Sequence, residues 1–287
     1  MILSIFTPTY NRGYILPVLY KSLCNQTSLD FKWIIVDDGS SDNTNELVKL
    51  WIKERIINIS YIYQENQGKM QAHNTGVLNC DTELFLCVDS DDYLTANTVD
   101  EILSTYSLLS DDIAGIISYR GKTSTEIIGT EFPKDLSSSK LNMLYKIGFK
   151  GDTSIIFKTE VIKKFLFPKF LKEKFLTEAF IYDQIDIHYK YLLLRKIHIV
   201  CTYRSDGYTQ NILKIQNKNP IGFLEYYKQC ALLEPHLTRK ICYLAQSCSF
   251  ALFDKDRMQR IKLKNIILLF PFALVLKIHR LIKFRTL

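Results

Sequence analysis

A chain of 287 residues with 47% hydrophobic and 23% charged residues can bury a substantial core, which excludes a disordered tail or a disulfide-stapled miniprotein. The seven cysteines are scattered without a CxxC pair, so they read as reduced thiols of a cytosolic protein and not as a zinc site or disulfide framework. The net charge of +7 is uneven: residues 255–287 hold nine Lys and Arg against the single acid Asp256, and the remainder is close to neutral.

Residues 2–6 read at once as a strand, not as the basic region and long apolar core of a signal peptide. The strand runs into the turn-rich stretch 7–13, after which Leu16, Leu19 and Leu23 recur at helical spacing. Residues 31–36 form a second strand ending in Asp37-Asp38-Gly39-Ser40-Ser41-Asp42. Asn43 or Thr44 caps a helix whose inner face carries Leu47, Leu50 and Trp51. Ile57, Ile59, Tyr61 and Tyr63 alternate as a half-buried strand does, and a loop at 64–69 leads to a helix over 70–78. Leu84-Phe85-Leu86-Cys87-Val88 is a buried strand, followed directly by Asp89-Ser90-Asp91-Asp92. A helix over 98–109 and a strand over 113–119 complete the alternation, which predicts βαβ units and a mainly parallel sheet flanked by helices.

In such a sheet the carboxyl ends of the strands share one edge, so the loops holding residues 7–10, Asp37-Asp38 and 89–92 converge on one cleft. Carboxylates crowded at 89–92 repel unless a cation or a hydrogen-bonding ligand compensates them, and hard oxygen donors suit Mg²⁺ or Mn²⁺. Asp is equally at home in a solvated turn before a helix N-cap.

Farther along, the pattern predicts a helix over 136–147, a polar turn at 148–153 and a strand over 154–157. A helix opens at 173–178 and runs through Asp183 and Asp186. A last strand follows over 197–203, a loop over 206–211, and helix from Pro220 to the end. His188, His198 and the run Tyr182, Tyr189, Tyr191 are expected to be packed core residues.

Four motifs, in order over about 95 residues, carry a resemblance. They are Thr7-Pro8-Thr9-Tyr10-Asn11-Arg12; Asp37-Asp38-Gly39-Ser40-Ser41-Asp42; Asn66-Gln67-Gly68-Lys69 with Ala72-His73-Asn74-Thr75-Gly76; and Asp89-Ser90-Asp91-Asp92. Together they resemble glycosyltransferase family two, with its Rossmann-like GT-A fold. Gly151-Asp152, residues 173–178 and residues 206–211 are similar to bacterial transferases of capsule and other surface polysaccharides. One departure is His73, where many relatives carry Arg; a neutral imidazole pairs less strongly with a diphosphate than a guanidinium does.

The resemblance implies a GT-A domain over 1–215, with a nucleotide-binding half to residue 120 and an acceptor half beyond it, then a helical region over 216–287. It implies an inverting, metal-dependent hexosyl- or N-acetylhexosaminyl-transferase. The sugar would pass from a nucleotide diphosphate, UDP foremost, to a hydroxyl of a lipid-linked or polysaccharide acceptor in bacterial surface polysaccharide synthesis. Asp38 is then expected to accept a ring N–H of the base, with Thr7, Pro8 and Tyr10 lining its pocket. Asn66, Gly68, Lys69, His73 and Ser90 are expected around the rest of the donor. Asp91 is the expected ligand of Mn²⁺ or Mg²⁺, with Asp89 sharing the ion or reaching the ribose. Glu178 is the first choice for the base that deprotonates the acceptor, with Asp183 and Asp152 in reserve. Two other readings compete: a sugar-nucleotide nucleotidyltransferase, for which the glycine-rich Arg-bearing loop after the first strand is missing, and a non-catalytic membrane-associated assembly subunit.

Residues 266–276 are eleven apolar residues bounded by Lys264 and Lys277 and interrupted by Pro271, short of the roughly twenty that cross a bilayer. The expectation is that residues 255–287 either dock on the anionic cytoplasmic leaflet, making the protein peripheral there, or pack as a helix with a solvated basic face. Nucleic-acid binding is not expected, because the charges alternate with long aliphatics and no nucleic-acid motif is present.

Overall fold

The computed structural model describes residues 1–202 and 211–285, with side chains as far as Lys283. All of the expected loop at 206–211 except Asn211, and the end of the expected strand at Tyr203, lie outside the described residues. The chain divides into two compact units, Met1–Leu166 with Ile181–Thr202, and Phe167–Phe180 with Tyr203–Leu287.

The first unit follows the predicted alternation: β1 (Leu3–Thr9), α1 (Leu16–Cys24), β2 (Phe31–Asp37), α2 (Thr44–Glu54), β3 (Asn58–Tyr63), α3 (Lys69–Leu78) and β4 (Leu84–Cys87). Then come β5 (Tyr93–Leu94), α4 (Thr98–Thr105), β6 (Ile113–Gly121), β7 (Ser138–Ser139), α5 (Leu141–Lys146), β8 (Thr153–Lys158), α6 (Thr159–Ile162), α7 (Ala179–His188) and β9 (Lys190–Val200). One sheet runs β3-β2-β1-β4-β8-β6-β9-β5, with β7 beside β9. β1 pairs in parallel with β2 and β4, and β2 with β3, while β8 runs antiparallel between β4 and β6. The register sets Thr9 opposite Asp37 and Phe6 opposite Cys87, so the polar ends of these strands leave the sheet along one edge.

Packing fixes this half firmly. Leu3, Ile5, Trp33, Ile35, Leu84 and Leu86 are buried in one cluster with Leu16, Leu19 and Leu23 of α1. Tyr20 stacks on Trp51 at 4.3 Å. α3 lies close on the opposite face: a Cβ at Gly76 would come within 2.4 Å of the Phe6 ring.

Several predicted bounds change. The helix expected at 98–109 ends at Thr105 and tightens into a 3₁₀ turn over Tyr106–Leu108. The helix expected at 136–147 is two elements, β7 and the shorter α5, whose first N–H groups, on Leu141 and Asn142, donate to the Asp186 carboxylate. The last strand begins at Lys190, not 197, because Lys190, Arg195 and Lys196 break its apolar run. His188 is exposed, not core, whereas His198 and Tyr191 are fully buried.

In the second unit, α8 (Ile212–Lys218), α9 (Pro220–Leu233), α10 (Leu237–Ala251), α11 (Lys255–Met258) and α12 (Leu263–Arg285) enclose a core of Phe223, Leu224, Cys248, Phe250, Ile266, Leu269 and Ala273. Residues 173–178 are not helical as expected. Glu173 instead accepts the Ile221 and Gly222 N–H groups at the start of α9 over 2.7 and 2.8 Å, and Asn219 Oδ1 accepts those of Lys174 and Phe175. That bolting is why 167–180 belongs to this unit, and the unit takes in residues on both sides of the expected boundary at 215.

α12 corrects the reading of the tail. It continues through Pro271 for 23 residues, about 34 Å, so length does not bar it from crossing a bilayer. Pro271 removes one internal hydrogen bond, on the exposed side of the helix. Two of the basic residues expected to face lipid or solvent are turned inward: Lys277 donates to the Leu252 carbonyl, and Arg280 lies 3.5 Å over the Phe250 ring.

Candidate active site

The end of β2 organises the site. Asp37 is fully buried and accepts from Ser40 N at 2.8 Å and Tyr61 Oη at 2.6 Å, which turns the chain sharply after the strand. Gly39 makes that turn with φ of 86°, and a Cβ there would sit 2.9 Å from Asn66 N. Next to it, Asp38 accepts from Gln64 Nε2 at 2.7 Å, Gln67 N at 2.9 Å and Gly68 N at 2.7 Å. Asp38 therefore holds the 64–68 loop, and three of its lone-pair positions are engaged by protein before any base arrives.

Loop-to-loop bonds draw the remaining motifs together. Asn11 N donates to Ser40 Oγ, Gly13 N to Asp42 Oδ2 and Ser41 N to Asn11 Oδ1, all within 2.9 Å. Lys69, first residue of α3, sets its ammonium 2.6 Å from Asp89, and Arg12 lies 3.7 Å from Asp91. Arg120, on β6, bonds Asp92 at 3.0 Å, while Thr202 N donates to the other oxygen of Asp92 at 3.2 Å.

Three carboxylates thus face three cations. Burial alone would lift the Asp89 carboxyl, but the charges of Lys69, Arg120 and Arg12 outweigh it and hold Asp89 below its ordinary value. At Asp92 burial wins: against the pull of Arg120, and helped by the charges of Asp89 and Asp91, its carboxyl is pushed up to about 6. Asp92 is therefore a structural tie between the acidic loop and the ends of β6 and β9. Asp89 and Asp91 remain half-exposed.

These two fit a divalent cation of the Mg²⁺ or Mn²⁺ kind, which takes one or two carboxylates and completes its shell with water and substrate phosphate. Among the described residues no group of three His, Cys, Asp or Glu forms a metal cage by itself.

Other predicted residues are placed as follows. Tyr10 is 50% exposed at the rim, whereas Pro8 is buried in β1 and Ser90 is buried beside Asp89. Thr7 is a correction: its Oγ1 is buried and accepts the Trp33 indole N–H at 3.0 Å, so the side chain serves the core. His73 is another. Its ring is 4% exposed and packs edge-on against Phe6 and Phe85 at 5.7 and 5.5 Å, which leaves little surface for a diphosphate. Glu178 immediately precedes α7 and belongs to the second unit. Of the reserves, Asp152 is exposed beside Gly151, and Asp183 accepts from Asn142 Nδ2 at 3.2 Å with its carboxyl raised by burial.

Arg120 was not singled out in the sequence, although a charge placed directly after the buried run of β6 is the same signal that marks Asp89 after β4. Gln64, which helps hold Asp38, carries no pattern that distinguishes it from any loop amide.

The architecture matches solved structures. Over 92% of this chain and 77% of the other, it superposes on S. aureus TarS 1–349 in complex with UDP-GlcNAc at a TM-score of 0.63 and 19% identity. The mannosyltransferase PcManGT from Pyrobaculum calidifontis, in complex with GDP-Man and Mn²⁺, gives 0.57 and 14% over 95% of this chain and 79% of that one. At such identities the likeness is one of fold, and the fold is GT-A. Residues 4–166 match the family model of glycosyl transferase family 2, and the chain belongs to that family.

Curated relatives include the GalNAc(5)-diNAcBac-PP-undecaprenol beta-1,3-glucosyltransferase of Campylobacter jejuni, 29% identical over 165 residues, 56% of this chain and 53% of the relative. Another is the chondroitin synthase of Escherichia coli, 43% identical over 67 residues, 23% of this chain and 10% of the relative. The chain spans about half, or less, of the length of these relatives.

Proposed function

We propose that this protein is an inverting glycosyltransferase that moves a sugar from a nucleotide diphosphate, UDP in the first instance, to a hydroxyl of a lipid-linked or polysaccharide acceptor of bacterial surface polymers. The observation that carries this reading is the short loop 67–69, which is bonded through Gly68 to Asp38 and through Lys69 to Asp89. A base-binding strand end and an acidic strand end are thereby joined at one edge of the sheet, where α/β folds bind ligands. The names of the Campylobacter relative and of the TarS complex support the choice of acceptor and donor class.

In this reading each residue is assigned a role. The loop pinned by Asp38, with the exposed ring of Tyr10, forms the nucleoside wall. Lys69 and Arg12 are cations within reach of the diphosphate, and both are partnered by carboxylates that a bound cation would claim. Asp89 and Asp91 would hold that Mg²⁺ or Mn²⁺, which when bound neutralises charge on the departing diphosphate. Glu178 takes the proton of the acceptor hydroxyl in an in-line displacement, with Asp183 and Asp152 as alternatives.

The enzyme works at the cytoplasmic face of the membrane, held there by α12. Ile267, Leu268, Phe272 and Val275 are each 65% or more exposed on its outward side, and the stretch Leu263–Lys283 has mean hydropathy 1.8. The inward Lys277 and Arg280 favour a helix lying in the interface over one that crosses. Hydrolysis of a UDP-sugar with Mn²⁺ and no acceptor tests the enzymatic reading; a protein that releases no UDP from any of a panel of UDP-sugars, with or without acceptor, would be the non-catalytic subunit instead.

A further inference from the structure

A pocket of about 190 Å³ opens among α8, the start of α9, α10, α11 and α12 of the second unit. Its lining includes Gln216, Asn217, Arg257, Lys277 and Arg280. Only one of the three cations is balanced. Arg257 pairs with Asp254 at 2.8 Å, whereas Lys277 and Arg280 have no carboxylate within ion-pair distance among the described residues.

Their existing contacts are neutral and incomplete. Arg280 donates through Nη2 to Ser249 Oγ at 2.8 Å and covers the Phe250 ring, which leaves Nη1 and Nε without a protein acceptor among the described residues. Lys277 gives one hydrogen to the Leu252 carbonyl and lies 5.1 Å from the Phe253 ring centre, although an ammonium has three hydrogens to donate. Burial pulls both cations down from their ordinary values, Arg280 to about 10, and the charges of Arg257 and Arg280 push Lys277 further in that direction against the smaller opposing pull of Asp254. Clamping a helix to its neighbour needs none of this. An alkyl side chain at 277 would pack there without placing a third positive charge beside two others.

We infer that this pocket binds a phosphate group, gripped by Lys277 and Arg280 and flanked by the side-chain amides of Gln216 and Asn217. A tetrahedral dianion matches two cations that approach from one helix and amides that approach from another, and guanidinium edges suit phosphate oxygens. The group comes from a phosphomonoester lipid headgroup or from a soluble phosphate. The inference is independent of the donor site, which lies in the other unit.

Thermal melts of the full chain in inorganic phosphate, against chloride at matched ionic strength, test it. Phosphate at ten times its dissociation constant is expected to raise Tm by about 2–4 °C. Gln216→Glu and Asn217→Asp each put a carboxylate into the pocket without touching the helix clamps. Both are expected to abolish the phosphate rise, to melt at or above the wild-type temperature without phosphate, and to keep stabilisation by UDP-sugar. A wild-type Tm that rises equally in chloride, or a phosphate rise that survives in both variants, overturns the site. Flotation on vesicles of equal charge made with phosphatidic acid or phosphatidylserine separates the sources. Preference for phosphatidic acid that is lost in Gln216→Glu assigns the headgroup, and equal recovery alongside the Tm rise assigns a soluble phosphate.

Discussion

Lys69 Nζ lies 2.6 Å from Asp89 Oδ1, one residue beyond a backbone N–H that is bonded to Asp38. A divalent cation held by Asp89 would compete with Lys69 for that carboxylate and would leave the ammonium to the diphosphate. Lys69→Met should therefore separate two affinities. Mn²⁺ alone binds more tightly, because its competitor is gone, while UDP-sugar binding weakens by about tenfold to a hundredfold, the worth of one hydrogen bond to a charged group. Calorimetric titration of each ligand checks both signs.

Asp38→Asn distinguishes a residue that reads the base from one that holds a loop. The amide replaces one of two carboxylate oxygens that together accept from Gln64, Gln67 and Gly68, so one buried donor loses its partner, at a cost of about 1–3 kcal/mol. With loop holding as the main role, affinity falls alike for uridine, guanosine and adenosine diphosphate sugars. With base reading as the main role, the uridine preference alone collapses. A melt and a panel of nucleotide sugars give the answer.

Asp92 makes stability depend on pH in a definite direction. Its carboxyl is raised to about 6 in the folded protein, from an ordinary value near 4. The stability it contributes is therefore complete below about pH 4 and lost as the pH rises through about 6, where ionisation must occur in a buried position. Asp92→Asn removes this slope. The difference in unfolding free energy, variant minus wild type, should grow in the variant's favour by about 2–3 kcal/mol between pH 4 and pH 7. Urea melts across that range measure it, and a flat difference contradicts it.

Glu178→Gln should leave donor binding intact and lower transfer by about 10²–10⁴-fold, the usual share of a general base. Near-normal turnover passes the role to Asp183 or Asp152, whose amide variants are then compared in the same assay.

On α12, Leu268→Glu with Phe272→Glu charges the outward face without disturbing the core positions Ile266, Leu269 and Ala273. Flotation with anionic vesicles should be lost while Tm stays within about 1–2 °C of the wild type. Undiminished recovery would place the membrane contact elsewhere.

What could be read from the sequence follows the range of the forces involved. The strands β1, β2 and β4 and the polar residues ending them were legible because an apolar run bounded by turn residues is a local signal, and parallel pairing then brings the ends together. The roles of Thr7 and His73 were not, because they depend on Trp33, Phe6 and Phe85, which tertiary packing supplies. Arg120 reaches Asp92 across 28 residues, and no periodicity spans that gap. Pro271 argued for a break in the tail. The helix passes it because the carbonyl it orphans faces outward, an orientation fixed only once Ile266, Leu269 and Ala273 are packed. Residues 173–178 have helical composition, yet Glu173 and Asn219 offer them better backbone partners elsewhere.

Asp38, Asp89 and Asp91 are expected to serve one nucleotide-sugar pocket, with a cation held by the last two. Calorimetric titration of a UDP-sugar into the wild type and Asp91→Asn, each with Mn²⁺ and with EDTA, tests it most directly. The expected result is binding by the wild type that weakens at least tenfold in EDTA, and binding by Asp91→Asn that is weak and indifferent to Mn²⁺. Equal, tight, metal-independent binding in both proteins would contradict it.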